Sequence, residues 1–169
     1  MQNYHKHCSE SNIFTPDSAA TYEDYAKRAV ELGHKILSTV EHGWQGRYHM
    51  AYEVAQKYGL KLIFGAEAYW VRDNREKDRA NCHVILLAKN ENGRRKINGI
   101  LSDSNEHGYY YKPRVDERSL LSLPADDVFI TTACVGFWNY EDTYNEEFIK
   151  KLSEYFRNNF RLEVQYHHT

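Results

Sequence analysis

The sequence has little that would tie it to an oxidising compartment or a membrane. Its three cysteines, Cys8, Cys82 and Cys134, are odd in number, far apart and without a Cys-x-x-Cys pair. That pattern argues against a disulfide framework and favours a reducing compartment. No apolar leader opens the chain, and there is no run of about 18 apolar residues. The expected location is therefore the cytoplasm, with no membrane partner. Neither sign of charge dominates: 22 Lys and Arg face 24 Asp and Glu, for a net charge of −2. Bulk electrostatics thus do not announce nucleic acid, and a phosphate-bearing substrate would need a local positive site, which bound metal ions can supply. Internal repeats, low-complexity tracts and dividing linkers are also missing. What remains is 169 residues, 41% hydrophobic and 27% charged, enough for one soluble domain with its own core. The 14 tyrosines suit core, interface or base stacking equally well.

The chain is organised around Tyr4-His5-Lys6-His7-Cys8-Ser9. Read as a strand over residues 2–8, it points His5 and His7 to one face, because strand side chains alternate. Two imidazoles on one face can grip one metal ion or two neighbouring ones. Thr21-Tyr22-Glu23-Asp24 fits a capping box and predicts a helix that ends at Gly33. Ile36 to Val40 reads as a strand delivering Glu41-His42-Gly43. Gly46 to Tyr58 reads as a helix, and Leu60 to Val71 as a strand carrying Glu67. Asp73 to Asn81 is a charged loop. His83 to Ala88 suits a strand buried on both faces, and Asn92 to Leu101 a helix. Tyr109 to Arg114 is extended, since Pro113 biases Lys112 away from helix. Val128 to Ala133 is a strand ending at Cys134. Asn145 to Phe156 is a helix with Phe148, Ile149, Leu152 and Tyr155 on one side, and Phe160 to Gln165 a last strand. Alternating strands and helices predict parallel strands with crossover helices.

Residues of metal-ligand type then recur at strand ends: His5 and His7, Glu41 and His42, Glu67, and Cys134. His83 fits less well, standing at the start of its strand. In a parallel barrel, C-terminal strand ends converge on one mouth. Taken one at a time, Glu67 is equally an exposed loop carboxylate, His42 a turn residue, and Cys134 and His83 core residues.

Several runs together carry a resemblance. They are His5-Lys6-His7, Val40-Glu41-His42-Gly43, Ile63-Phe64-Gly65-Ala66-Glu67-Ala68-Tyr69, His83-Val84-Ile85-Leu86-Leu87-Ala88-Lys89-Asn90, Tyr110-Tyr111-Lys112-Pro113-Arg114-Val115-Asp116, Thr132-Ala133-Cys134 and Leu162-Glu163-Val164-Gln165. In order and spacing they resemble the PHP (polymerase and histidinol phosphatase) domain at the N-terminus of bacterial DNA polymerase III alpha subunits. The resemblance implies a single PHP domain over residues 1–169. Its α/β fold would be a distorted parallel (β/α)7 barrel with two or three zinc or manganese ions at its mouth. It implies that His5, His7 and Glu67 build one metal position, that Glu67, His83 and Cys134 serve a second, and that His42 serves a third. Glu41 stands where the family usually has Asp, and Asn12 where it usually has an acid or a histidine. The implied chemistry is metal-dependent phosphoester hydrolysis, with Glu67 and His42 as catalytic residues and 3′→5′ proofreading of a DNA 3′ end as the setting. Lys112 and Arg114 are expected to steady the phosphodiester, and Tyr109 to Tyr111 to stack on an unpaired end. Two alternatives stand beside this: a weakly active scaffold that stabilises a polymerase or docks a partner, and a small-molecule phosphatase of the histidinol-phosphate kind. The family's final Asp-x-His motif does not occur, and His167 and His168 do not replace it. A barrel missing its last strand exposes two edges, which invite pairing. Association with the remainder of a polymerase III alpha chain, or with another copy of this one, is therefore expected.

Overall fold

The longest strand, β2 (Lys61–Val71), sets out the rest of the molecule. In the computed structural model, which describes residues 3–138 and 142–166, β2 has partners on both sides. Its first half pairs in parallel with β1 (Ile36–Thr39), and its last residues pair in parallel with β4 (Arg114–Asp116). Along its other edge runs β3 (Cys82–Ala88), antiparallel, with Ile85 opposite Glu67 and His83 opposite Tyr69. The sheet continues through β5 (Val128–Thr131), antiparallel to β3, to the two-residue β6 (Phe160–Arg161), parallel to β5. The order is β1-β2-β3-β5-β6 with β4 beside β2.

Alternation along β2 and β3 separates core from chemistry. Ala66, Ala68 and Trp70 of β2, with Cys82, Val84 and Leu86 of β3, turn to one face. There they meet α3 (Glu91–Glu106) through Ile97 and Leu101, and α5 (Asp142–Phe156) through Phe148, Leu152 and Phe156. Trp70 stacks on Phe148 with centroids 3.9 Å apart. Burying side chains of this size contributes about 1.5–3 kcal/mol each. Glu67, Tyr69, His83 and Ile85 turn to the opposite face. On that face Ile85 packs with Val40 and Ala133. A separate small core joins α1 (Tyr22–Glu31), α2 (Tyr48–Lys57) and β1 through Ala26, Leu37 and Ala55. The capping box at Thr21 forms as expected, with Asp24 as its other half. The short α4 (Glu117–Leu121) follows β4 and is capped by Asp116.

Several expectations change. The sheet is mixed and open, and a (β/α)7 barrel is not what the described residues form. The reason lies between β2 and β3, where residues 72–81 contain no helix. A parallel return needs a crossover, whereas an antiparallel one does not. The expected first strand over residues 2–8 joins no ladder among its described residues. Its extended backbone is pinned by side chains: Ser38 Oγ donates to the Tyr4 carbonyl (2.6 Å), and Ser18 Oγ and Tyr25 OH both donate to the His7 carbonyl. On α5 the inward residue is Phe156, while Tyr155 is 40% exposed. His167 and His168 lie outside the described residues.

Candidate metal centre

Glu67 occupies the middle of β2, where the partner on one edge changes. Beyond β1 the chain continues alongside as Glu41-His42-Gly43, and the Gly43 amide donates to the Glu67 carbonyl at 2.7 Å. Gly43 has φ +72° and lies under Phe14, Tyr69 and Pro113; a Cβ there would meet Tyr69 and Pro113 at 3.0 Å. A residue without Cβ therefore makes the turn that brings His42 over Glu67. The side chain of Glu67 is fully buried.

Four histidines and a cysteine surround it. His5 Nε2 is 3.6 Å and His83 Nδ1 3.3 Å from Glu67 Oε1, and His7 Nε2 is 3.9 Å from Oε2. His5 and His7 face each other with 3.3 Å between their Nε2 atoms. Cys134 Sγ lies 3.5 Å from His83 Nδ1 and accepts from the Gly136 amide at 3.3 Å. His42 hydrogen-bonds Glu67 through Nδ1 and Asp17 through Nε2 (2.9 Å), and stacks on His7 at 3.8 Å. The chain reaches Cys134 through Ala133, whose φ of +54° costs about 1–2 kcal/mol for a residue with a Cβ.

Two groups of three donors emerge, His5–His7–Glu67 and Glu67–His83–Cys134, sharing the one carboxylate. Nitrogen and oxygen ligands about 2.1 Å from a tetrahedral zinc stand roughly 3.4 Å apart, close to the 3.3 and 3.6 Å measured between donors of the first group. Glu67 Oε1 is buried and has no hydrogen bond of its own, and an orphaned buried acceptor of this kind points to an ion. Each group leaves ligand positions open, as catalytic rather than structural zinc sites do.

The charges fit this arrangement. Burial opposes ionisation of Glu67, but His42, His5 and His83 hold its carboxyl well below the usual range. Burial likewise works against a charge on His5, yet Glu163 and Glu67 raise it to about 9. His83 is also raised to about 9, by Cys134 and Glu67 against burial. The His83 contact lowers Cys134, against burial, and so favours thiolate. Burial lowers His7, more than Glu67 can offset.

The strand direction explains His83. Because β3 runs antiparallel to both β2 and β5, its start lies at the same end of the sheet as the C-terminal ends of those two neighbours. Glu41 is corrected: next to His42 it points the opposite way, and its carboxylate accepts from the Cys8 amide (3.0 Å), Cys8 Sγ (3.1 Å) and Ser11 Oγ (2.5 Å). It braces the N-terminal segment and is not among the clustered donors. Arg114 is corrected too. It is 3% exposed, and its guanidinium donates to the carbonyls of Asn74, Glu76, Asp78 and Gly108 at 2.7–3.0 Å. Lys112 does reach the cavity, 4.2 Å over the Tyr69 ring. Asn12 turns to Ser18 and Asp17, its amide stapling the loop that carries Asp17 to His42. Tyr109 and Tyr111 are exposed, and the guanidinium of Arg79 lies 3.8 Å over the Tyr111 ring.

Sequence reasoning passed over two acids. Asp17 gave no signal beyond being a loop acid. Glu163 hydrogen-bonds His5 Nδ1 (2.5 Å) and accepts from Tyr4 OH (2.6 Å) and Thr131 Oγ1 (3.1 Å). A carboxylate behind a ligating imidazole fixes its tautomer and ring orientation. The run Leu162-Glu163-Val164-Gln165 held the clue, since alternation aims Glu163 and Gln165 to one side.

The family profile described as PHP domain matches residues 3–167. The chain belongs to the PHP domain family. Curated relatives of this PHP domain include the DNA polymerase III subunits alpha of Aquifex aeolicus (30% identical over 166 residues) and Borreliella burgdorferi (31% over 165). These matches cover 88% and 89% of this chain and 14% of each relative. The chain thus spans about a seventh of their length. A crystal structure from Bifidobacterium adolescentis, provisionally described as a metal-dependent phosphoesterase, overlaps 61% of this chain and 32% of its own, with TM-score 0.43 and 21% identity.

Proposed function

We propose that this PHP domain is a metal-dependent phosphoesterase acting on a DNA 3′ end, as the 3′→5′ exonuclease part of a DNA polymerase III alpha subunit. The observation that carries the reading is the pair of three-donor groups sharing Glu67. His5, His7 and Glu67 would hold one ion, zinc or manganese, and Glu67, His83 and Cys134 another. Such ions supply Lewis acidity and a water of lowered pKa.

The chain's own groups do the positioning. The cavity, about 450 Å³, admits a phosphodiester from one side. Lys112 brings an ammonium to its wall and would pair with a phosphate oxygen. Burial lowers its pKa, and the nearby Glu67 offsets this only in part. His42 sits between Asp17 and Glu67, placed to hold a proton beside the reacting phosphate. Cytoplasmic residence belongs to this reading as a proposal; a third ion at His42 would take the place of that proton and raise the count from two to three.

The partner would be the remainder of a polymerase III alpha chain. Glu163 turns to His5, so Leu162, Val164 and Tyr166 turn outward, 58%, 92% and 83% exposed. Apolar side chains in such a row favour an occupant.

A scaffold role without turnover is favoured by one observation: Asn12 spends its amide on the 17–18 loop and offers the cavity no charge. Elemental analysis, with a nuclease assay on single-stranded DNA and a phosphatase assay on a phosphate monoester, decides. Two bound ions with DNA cleavage that Glu67→Ala abolishes is the expected result. Bound ions without turnover supports the scaffold, and monoester turnover alone the small-molecule phosphatase.

A further inference from the structure

A second cavity, about 550 Å³, opens beside the first. The two are lined by consecutive stretches of the same loops. Thr15 and His42 face the metal-ligand cluster, whereas Ile13, Phe14, Trp44 and Gln45 face the second space. Between them stands the ridge of Phe14 over Gly43, where a Cβ would come within 3.3 Å of the Phe14 ring. Asn105 and Glu106, at the end of α3, form the far wall.

The chemistry of the two spaces differs. The first holds Lys112 and the cluster of imidazoles. The second holds no Lys or Arg among its lining residues, and Glu106 makes it unfriendly to a phosphate. It offers apolar and aromatic surface instead: Ile13 is 63% exposed, beside the half-buried rings of Phe14 and Trp44. Trp44 is held in place by its indole N–H on the Glu10 carbonyl (3.1 Å). The side-chain amide of Gln45 makes no hydrogen bond among the described residues. Asn105 spends its amide N–H on the Leu101 carbonyl (2.8 Å), which leaves Gln45 as the free amide. Aromatic and apolar side chains beside one free amide suit an uncharged ring with a polar edge.

We infer that this second cavity is a nucleobase subsite, which takes an unpaired base at the 3′ end of single-stranded DNA while the adjoining phosphate lies beside Lys112. The inference rests on the phosphoesterase reading and narrows it. It makes the substrate a base-bearing strand and assigns Ile13 and Gln45 to specificity.

The test uses the full chain loaded with manganese and two probes of equal charge: 5′-fluorescein tetrathymidylate and the abasic tetramer of the same length. Binding is read by fluorescence anisotropy and turnover by release of 3′ product. The wild-type chain should bind the base-bearing probe about tenfold more tightly, the scale of one stacked base. Ile13→Ser with Gln45→Ala should erase that preference by raising Kd and KM for tetrathymidylate. Binding of the abasic probe, kcat and metal content should stay unchanged. Equal weakening of both probes, or of neither, overturns the subsite. Absence of turnover on both probes would overturn the phosphoesterase reading, while the anisotropy arm still decides the subsite.

Discussion

At the scale of single residues, everything in the centre passes through one carboxylate. Because Glu67 belongs to both donor groups, Glu67→Gln should cut bound metal from about two ions to none. Cys134→Ser touches one group and should remove about one ion; elemental analysis of both variants reads the difference. In the metal-free chain His5 and His83 keep their protons up to about pH 9. A cation binding at pH 7 must displace them, so metal affinity should rise with pH and level off above about 9. Calorimetry in buffers of different ionisation enthalpy would count about one proton released per raised histidine, and His7, lowered by burial, should add none. Glu163 acts through His5. Glu163→Gln should weaken the His5–His7–Glu67 site by about 10–100-fold and leave the Cys134 site near its original affinity, a split that general unfolding would not produce. The donors themselves were legible in the sequence, because imidazole, carboxylate and thiolate declare their chemistry by type. Glu41 and Asp17 were not, since neighbouring acids look alike until the backbone decides which one turns inward.

At the scale of elements, strand alternation does most of the sorting. One face of β2 and β3 carries Trp70, Val84 and Leu86 into the core, while the other carries Glu67, Tyr69 and His83. The period-two pattern was readable in the sequence; the direction of β3 was not, because direction is fixed by how residues 72–81 return to the sheet. Arg114 belongs to this scale. Its guanidinium ties four carbonyls, three of them in that return loop. Arg114→Met unties the return loop and strands the buried Gly108 carbonyl, at about 1–3 kcal/mol for that unpaired acceptor. The thermal midpoint should drop by several degrees with little change in the affinity of folded protein for DNA. A large loss of DNA affinity at unchanged midpoint would return Arg114 to the substrate.

For the whole molecule, the N-terminal segment is held by side chains more than by backbone. Residues 3–8 join no ladder, yet they bring two of the donors. Side chains bridge them to β1 at Ser38 and to the stretch after β6 at Glu163 and Gln165. An ion shared by His5, His7 and Glu67 would tie this segment to the centre of the sheet. Hydrogen exchange at residues 4–7 should be fast in the metal-free chain and slow markedly on loading, while Cys8, whose amide donates to Glu41, and β2 and β3 stay protected throughout. Global stability should rise by about 4 kcal/mol when metal is present at a thousandfold over its Kd.

The sequence by itself determined which groups are available and their order, the alternation that gives each strand a chemical face and a packing face, and membership of a family through motifs spread along the chain. Those properties are local, and local periodicity and side-chain chemistry suffice to express them. Tertiary structure alone decided that β3 runs against its neighbours and so brings His83 to Glu67, that Arg114 and Glu41 are spent on the scaffold, and that Asp17 and Glu163 stand behind the histidines. Each of these depends on which distant segments pair and on where a buried polar group finds its partner, and neither is written in the residues nearby.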